Sequence, residues 1–312
     1  MSSAPLNQQQ FDPGITQTYA GELRRVINRD GSFNVRRKGG SLKDLHVYQL
    51  LLSLSWPAFM GLVLALFIGV NLIFAGLYIA AGLENLAGAH ALTRGESLLN
   101  AFFFSVQTLT TVGYGAISPR GIATNAIASL EAMMGVMGFA FAAGLLYGRF
   151  SRPSARILFS DRAIICPFHD GVSLQFRIAN RRSNAIVNLE ATVLLMTVEQ
   201  VEGQQKRRYV RLELERSTVY FLPLTWTIVH PINESSPLSG LAKEQLAERS
   251  AELLVLITGF DDSFNQVVNA RTSFRWDEIV WGARFVPAFH ADHRGELVLD
   301  LTRINETVPT EL

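Results

Sequence analysis

Apolar and polar positions divide the chain into stretches of different period. Up to residue 40, "MSSAPLNQQQFDPGITQTYAGELRRVINRDGSFNVRRKGG" starts polar, turns basic and ends in glycines, which reads as a flexible tail. In "SLKDLHVYQLLLSLSWP", Leu45, Tyr48, Leu51 and Leu52 recur at helical spacing, predicting an amphipathic helix in a membrane interface. The run from Pro57 to Ala81 holds no charge, and at 1.5 Å per residue it is long enough to cross a hydrocarbon core of ~30 Å. A second spanning run, Gly121 to Phe150, is rich in Gly and Ala and carries one acid, Glu131; its Gly144 and Gly148 have the spacing that lets helices approach closely. Between the spans, "LTRGESLLNAFFFSVQTLTTVGYGAISP" is too short in its apolar part to cross again. After Pro153 the pattern becomes β-rich: "AIICPF", "VSLQFRIAN", "NLEATVLLMTV", "RYVRLELE", "TWTIVHP", "AELLVLITGF", "VVNARTSFRW" and "GELVLDLT", separated by turn signals such as "HDG" and "HRG". An all-β sandwich is predicted, with "SPLSGLAKEQLAE" as a short helical insertion capped by Ser at its start.

The expected domains are therefore an N-terminal cytoplasmic tail (1–41), an interfacial helix with a two-span membrane domain (42–152), and a cytoplasmic β-sandwich (153–312). With 48% hydrophobic residues among 312 and 18% charged, a wholly disordered chain is excluded. A net charge of +1, without a basic face interleaved with aromatics, argues against nucleic acid as a partner. The single cysteine, Cys166, rules out an intramolecular disulfide framework and a cysteine-rich zinc site, and reads as a small buried thiol. Nothing in the first forty residues has the pattern of a signal peptide. Basic residues set the orientation: Arg24, Arg25, Arg29, Arg36, Arg37, Lys38 and Lys43 precede the first span, Arg149, Arg152, Arg156 and Arg162 follow the second, and only Arg94 and Arg120 lie between. Both termini are expected to be cytoplasmic.

The hexapeptide "TTVGYG", Thr110 to Gly115, interrupts this plan with two glycines between apolar runs. Unsatisfied backbone in lipid costs several kcal/mol per group, so a non-helical segment at membrane depth survives only when buried in protein or lining a water-filled path. Ser97 to Leu109 is expected to dip in as a half-helix, and the hexapeptide to climb out extended. A filter for a bare cation needs successive carbonyl oxygens facing one axis, and hence backbone dihedrals alternating in hand, which Gly113 and Gly115 allow. One strand of carbonyls cannot encircle an ion, so the mechanism demands symmetry; four copies would give rings from Thr111, Val112, Gly113 and Tyr114, with a further ring of Thr111 hydroxyls at the inner end.

On these residues, and on "LLLSLSWP", "FFFSVQTLTTVGYG", "LEAMMGVMG", "GLLYGRFSRP", "HPINESSPL", "ITGFDD" and "ARTSF", the sequence from about Leu42 to Asn305 resembles the inward-rectifier potassium channels, most closely their bacterial (KirBac) members. The resemblance implies a two-helix pore with an immunoglobulin-like cytoplasmic sandwich, a homotetramer in a bacterial inner membrane, K+ as the permeant ion held by filter carbonyls of Thr111 to Gly115, and no cofactor. It also implies gating by anionic phospholipid, for which Arg36, Arg37, Lys38, Arg149, Arg152 and Arg156 flank the inner leaflet, Arg149 and Arg152 foremost. Lipid contact would move the interfacial helix and bias Tyr147, the bulky residue that narrows the inner mouth.

Further roles follow from the same resemblance. Tyr114 would turn its ring into the pore-helix packing and brace the filter. Gln107 stands where many relatives have Glu, and no Arg follows the filter at Ala116 or Ile117, so the acid-to-base strut of eukaryotic relatives is missing. Phe139 matches the position where strongly rectifying relatives carry an acid, so only weak polyamine rectification is expected. Glu131 is open to two readings, a brace behind the filter or an attractor of ions. Gly144 is either a hinge or a close-packing site. "GFDDSFNQVV" resembles the loop forming a second constriction, with Asp261, Asp262, Ser263, Phe264, Asn265 and Gln266; the two acids either concentrate cations or shape a turn. His230 reads as structural. No nucleophile motif, phosphate loop or metal cluster occurs, so an enzyme is not expected. The rival from another class is a membrane-anchored cytoplasmic binding module with a closed or vestigial pore.

Overall fold

The computed structural model describes residues 12–15, 17, 25–36, 38–39, 47–89, 93–151, 156–201 and 203–312. The chain divides into two compact units, one of Lys38–Arg152 and one of Met1–Arg37 with Pro153–Leu312.

The first unit opens with the short helix α1 (Val47–Ser53), which carries the Tyr48, Leu51 and Leu52 face of the expected interfacial helix; Leu45 lies outside the described residues. α2 (Trp56–Ala81) begins at a Trp-Pro pair, proline being suited to a first turn where its missing N–H costs nothing. β1 (Leu86–Ala87), α3 (Arg94–Leu109), β2 (Ser118–Pro119) and α4 (Gly121–Phe150) follow. The half-helix thus starts three residues before Ser97, because Thr93 makes a capping box: its hydroxyl accepts from Glu96 N–H at 3.2 Å while the Glu96 carboxylate accepts from Thr93 N–H at 3.0 Å. α2 and α4 are long and apolar enough to cross a membrane, at ~1.5 Å per residue. A small core of Phe74, Ala75, Tyr78, Leu86, Ala101 and Phe104 joins α2 to α3, with Ile127 and Ala128 of α4 against it.

The second unit is the expected sandwich. One sheet runs in the order β11 (Gln266–Arg275), β10 (Glu252–Asp261), β6 (Ile186–Val201), β7 (Gln204–Arg211), with β8 (Thr218–Phe221) also on β6. The other runs β12 (Ile279–Trp281), β4 (Ala163–Phe168), β5 (Gly171–Asn180), β3 (Ile157–Phe159), with β9 (Thr225–Ile232) also on β5. Pairing is antiparallel except for β12 on β4. Inward residues of both sheets, among them Ile165, Leu174, Phe176, Leu189, Val193, Trp226, Leu253, Val255 and Phe274, form one core. "RYVRLELE" forms a strand only to Arg211. The insertion helix α5 (Lys243–Glu248) differs from expectation at its start: Gln245 reaches back to accept from Ala242 N–H at 2.8 Å, while Ser236 is engaged with His230.

The flexible-tail reading is corrected over residues 25–36. Val26 and Ile27 are buried with Leu194, Met196, Tyr209 and Leu254 on the outer face of the first sheet, and Ile27 bridges Phe33. Arg25 donates to the Ser273 carbonyl at 2.7 Å and pairs with Glu278, which also pairs with Arg29 at 2.5 Å. Both oxygens of the buried Glu252 lie 3.1 Å from Val26 N–H, and Ser273 Oγ donates to the Ile27 carbonyl at 2.6 Å. Burial pushes the Glu252 carboxyl above the usual range, with the Val26 and Ile27 N–H groups and Arg25 opposing it.

Candidate functional site: a carbonyl-lined segment at the end of a half-helix

α3 delivers its C-terminal end to the hexapeptide. Thr110 N–H and Oγ1 both bond the Val106 carbonyl, at 3.0 and 2.7 Å. Thr111 N–H then bonds the Thr108 carbonyl at 3.0 Å, and the Gln107 carbonyl accepts from both Val112 and Gly113 N–H, at 2.9 and 3.2 Å. The N–H groups are thus turned back onto the helix. Among the described residues nothing donates to the carbonyl oxygens of Thr111, Val112, Gly113 and Tyr114. Backbone φ is positive at Thr111 (58°), Gly113 (52°) and Gly115 (79°), with Val112 and Tyr114 on the ordinary side, so the hand alternates as a row of like-facing carbonyls requires. Thr111 was not foreseen as left-handed. A helix C-terminus carries about −0.5 of an elementary charge, which favours a cation at this end.

Two supports hold the segment. Beyond it, β1 and β2 pair Leu86 with Pro119 and Ala87 with Ser118, and Arg120 N–H bonds the Asn85 carbonyl at 2.7 Å, tying the exit to the end of α2. Before it, the Leu109 carbonyl sits directly on α4 at Gly135: a Cβ there would lie 1.9 Å from that oxygen. Tyr78 and Phe104 meet edge to face at 4.9 Å behind the half-helix. Tyr114, expected to pack on the pore helix, is 78% exposed within its own chain, so any brace it supplies comes from contact with a neighbouring copy. Phe139 and Tyr147 are likewise exposed on α4, which buries only Thr124 and Glu131. An apolar helix so bare needs lipid or other copies around it.

Arg149, expected to meet lipid, is committed elsewhere. Its guanidinium donates to the carbonyls of Leu51 (2.6 Å) and Leu54 (2.7 Å) and lies over the rings of Trp56 and Phe59, at 4.8 and 4.5 Å. It caps the C-terminal end of α1, where carbonyls lack helical partners. Arg36, Lys38 and Arg156 are exposed; Arg37 and Arg152 lie outside the described residues. A Cβ on Gly148 would meet Tyr48 Oη at 2.7 Å, whereas nothing stands within 4 Å of one on Gly144, so of this pair only Gly148 makes a close approach within the chain.

In the sandwich, Asp261 is buried and accepts from Asn184 Nδ2 at 2.8 Å and from Ser263 and Phe264 N–H at 3.0 and 3.3 Å, which makes it the turn-shaping acid of its loop. Asp262, Ser263, Asn265 and Gln266 are exposed and Phe264 half-buried. His230 is buried, with Nδ1 2.5 Å from the Glu213 carbonyl and Nε2 2.8 Å from Ser236 Oγ; burial lowers its proton affinity. Cys166 is buried beside Ser173, and burial pushes its thiol up, away from reactivity.

Residues 157–312 match the family model of the inward rectifier potassium channel C-terminal domain, and residues 62–151 that of an ion channel. The inward rectifier potassium channel Kirbac3.1 of Paramagnetospirillum magnetotacticum is 41% identical over 289 residues, covering 90% of this chain and 95% of that one. The chain belongs to the inward-rectifier potassium channels. Vertebrate inward rectifiers align over nearly the same extent. The rat ATP-sensitive inward rectifier potassium channel 15 is 28% identical over 98% of this chain and 80% of its own. The mouse G protein-activated inward rectifier potassium channel 2 is 26% identical over 93% and 73%. This inward rectifier is therefore a membrane-embedded ion channel of the bacterial type and not an enzyme, and its family implies tetrameric assembly.

Proposed function

We propose that this chain forms a homotetramer whose hexapeptides surround one axis and pass K+ through rings of carbonyl oxygens from Thr111, Val112, Gly113 and Tyr114, with Gly115 setting the outer turn. The observation that supports this most directly is the alternation of φ at Thr111, Gly113 and Gly115 beside N–H groups turned back onto α3. K+ exchanges its hydration shell for these oxygens; no cofactor takes part. Phe139 offers no negative charge to polyamines, so rectification through that position is weak. Tyr147, exposed near the end of α4, narrows the inner mouth and gates it sterically and by dewetting. Arg36, Lys38 and Arg156, with Arg37 and Arg152, attract anionic phospholipid, each worth about 1 kcal/mol near a charged leaflet. Asp262 faces solvent in the constriction loop and raises cation concentration there. Both termini lie on the cytoplasmic side of the inner membrane, as the basic flanks require.

The test is uptake of a potassium-like tracer, rubidium, into liposomes holding the purified tetramer, with sodium or potassium as competitor and with anionic lipid varied. Uptake blocked by potassium and not by sodium is expected, along with a dependence on anionic lipid. Tetramers that pass no tracer in any lipid mixture refute the proposed pore and favour a membrane-anchored binding module.

A further inference from the structure

Glu131 lies in the middle of α4 and is wholly buried. Tyr78 of α2 donates its hydroxyl to Oε2 at 2.6 Å, and Oε1 meets Ser105 Oγ of α3. Ser105 Oγ is also 2.9 Å from Oδ1 of Asn71, a buried residue of α2 whose Nδ2 donates to the Phe67 carbonyl at 2.7 Å. Among the described residues Glu131 has no ion-pair partner.

The protons can be counted. Three oxygen-to-oxygen contacts join these side chains: Tyr78 to Glu131, Ser105 to Glu131, and Ser105 to Asn71. Each needs one proton, and the two hydroxyls supply one apiece. Flipping the Asn71 amide would donate a proton to Ser105 but set Oδ1 against the Phe67 carbonyl, two acceptors face to face. Thr108 has none to spare, since its hydroxyl donates to the Phe104 carbonyl at 2.8 Å. The missing proton belongs on Oε1: it is donated to Ser105 Oγ, which passes its own to Asn71 Oδ1, while Oε2 remains the carbonyl oxygen that accepts from Tyr78. A carboxylate here would leave the Ser105–Asn71 contact as lone pair against lone pair, and would bury an ion with no cation beside it.

We propose that Glu131 is held as a neutral carboxylic acid and is a positioning residue for the filter, its proton closing a hydrogen-bonded chain that ties α3 to α2 and α4. Ser105, the α3 member, stands two residues before Gln107, whose carbonyl anchors Val112 and Gly113 N–H. Its position therefore sets theirs. This assigns Glu131 to bracing and removes it as an attractor of ions; it rests on the pore reading for its function but not for its chemistry.

Two measurements on the reconstituted full chain separate these. Infrared spectra of the native protein should contain the C=O stretch of a protonated carboxylic acid that is absent from Glu131→Gln. Tyr78→Phe should move that band to higher frequency, because Oε2 loses its hydrogen bond. A Glu131→Gln difference spectrum showing only loss of a carboxylate band overturns the proposal. In tracer uptake, Glu131→Gln should keep the preference for potassium over sodium, since its amide donates to Ser105 and accepts from Tyr78, whereas Glu131→Ala should lose it. Loss of preference in Glu131→Gln, from a native protein that discriminates, also overturns the proposal. Absence of uptake by the native protein counts against the pore and leaves the infrared result to decide the proton.

Discussion

Replacing Gly135 by Ala tests how the inner spanning helix positions the filter. An added Cβ would sit 1.9 Å from the Leu109 carbonyl oxygen and 2.8 Å from its carbon, where ordinary contact begins near 3.4 Å. The pore helix would have to retreat by about 1.5 Å, the difference between 3.4 Å and the 1.9 Å approach to the oxygen. The obstruction is backbone and has no rotamer to move to. Helix propensity favours Ala over Gly by about 1 kcal/mol, but overpacking costs typically ~1–3 kcal/mol, and a rigid backbone neighbour puts this site at the upper end. The net expectation is a loss of ~1–2 kcal/mol. Function should suffer more, because Leu109 is next to Thr110 and its displacement carries the filter carbonyls off their axis. Gly69→Ala is the control: it lies in α2 with nothing within 4 Å of the new methyl, so it gains propensity without collision. Both variants would be taken through tetramer chromatography, thermal unfolding and rubidium uptake against sodium. Gly135→Ala should melt below native and lose discrimination, while Gly69→Ala should match or exceed native stability. A Gly135→Ala tetramer with native melting and native discrimination would refute the view that this contact sets the filter.

Arg149→Ala removes two charge-assisted bonds to the carbonyls closing α1, worth ~1.5–3 kcal/mol each at the upper range for charged partners; hydrogen exchange over residues 47–54 should accelerate while the anionic-lipid dependence of uptake persists, and the reverse pattern would return Arg149 to the lipid site. Arg25→Ala leaves Glu278 short of one partner and should loosen residues 25–36 by ~1–3 kcal/mol, read as faster proteolysis there, with unchanged cleavage counting against the docking account. His230 has its folded proton affinity lowered by burial, so its stabilising contribution is complete above about pH 6.5 and is lost as pH falls below that value. Melting temperature should drop on acidification through this window and the drop should shrink in His230→Gln; an equal slope in both would show that another group titrates.

The spanning helices were legible because a long, predominantly apolar run of membrane length has few alternatives, and the second has the very ends of its apolar run, Gly121 and Phe150. The sandwich was legible because period-two runs between turn residues leave little choice. Much of what escaped the sequence has partners far away along the chain. Arg25 and Glu278 are 253 positions apart, and Val26 and Glu252 are 226 apart. A valine-isoleucine pair in a charged stretch has no period to signal burial. Arg149 looked like one more basic flank, because sequence shows its charge and not the α1 carbonyls that receive it. Asp261 and Asp262 are adjacent and alike, yet a pleat sends one into the loop and the other to water. The Glu131 chain draws on three helices, and only coordinates show that its oxygen-to-oxygen contacts outnumber the protons of its hydroxyls.

The docking of residues 25–36 has a consequence for biosynthesis. The anchors Glu252, Ser273 and Glu278 leave the ribosome only after α2 and α4 have been made, and at about 5–20 residues per second the 253 positions from Arg25 to Glu278 take roughly 13–50 s. Through that interval residues 25–36 lack their full set of anchors, and until Leu254 is made Val26 and Ile27 lack their full cover, while two hydrophobic segments enter the bilayer. Their burial is thus among the last steps of the chain's maturation, and a nascent protein stalled before residue 278 would be recognisable by an unprotected N-terminus joined to an already inserted membrane domain.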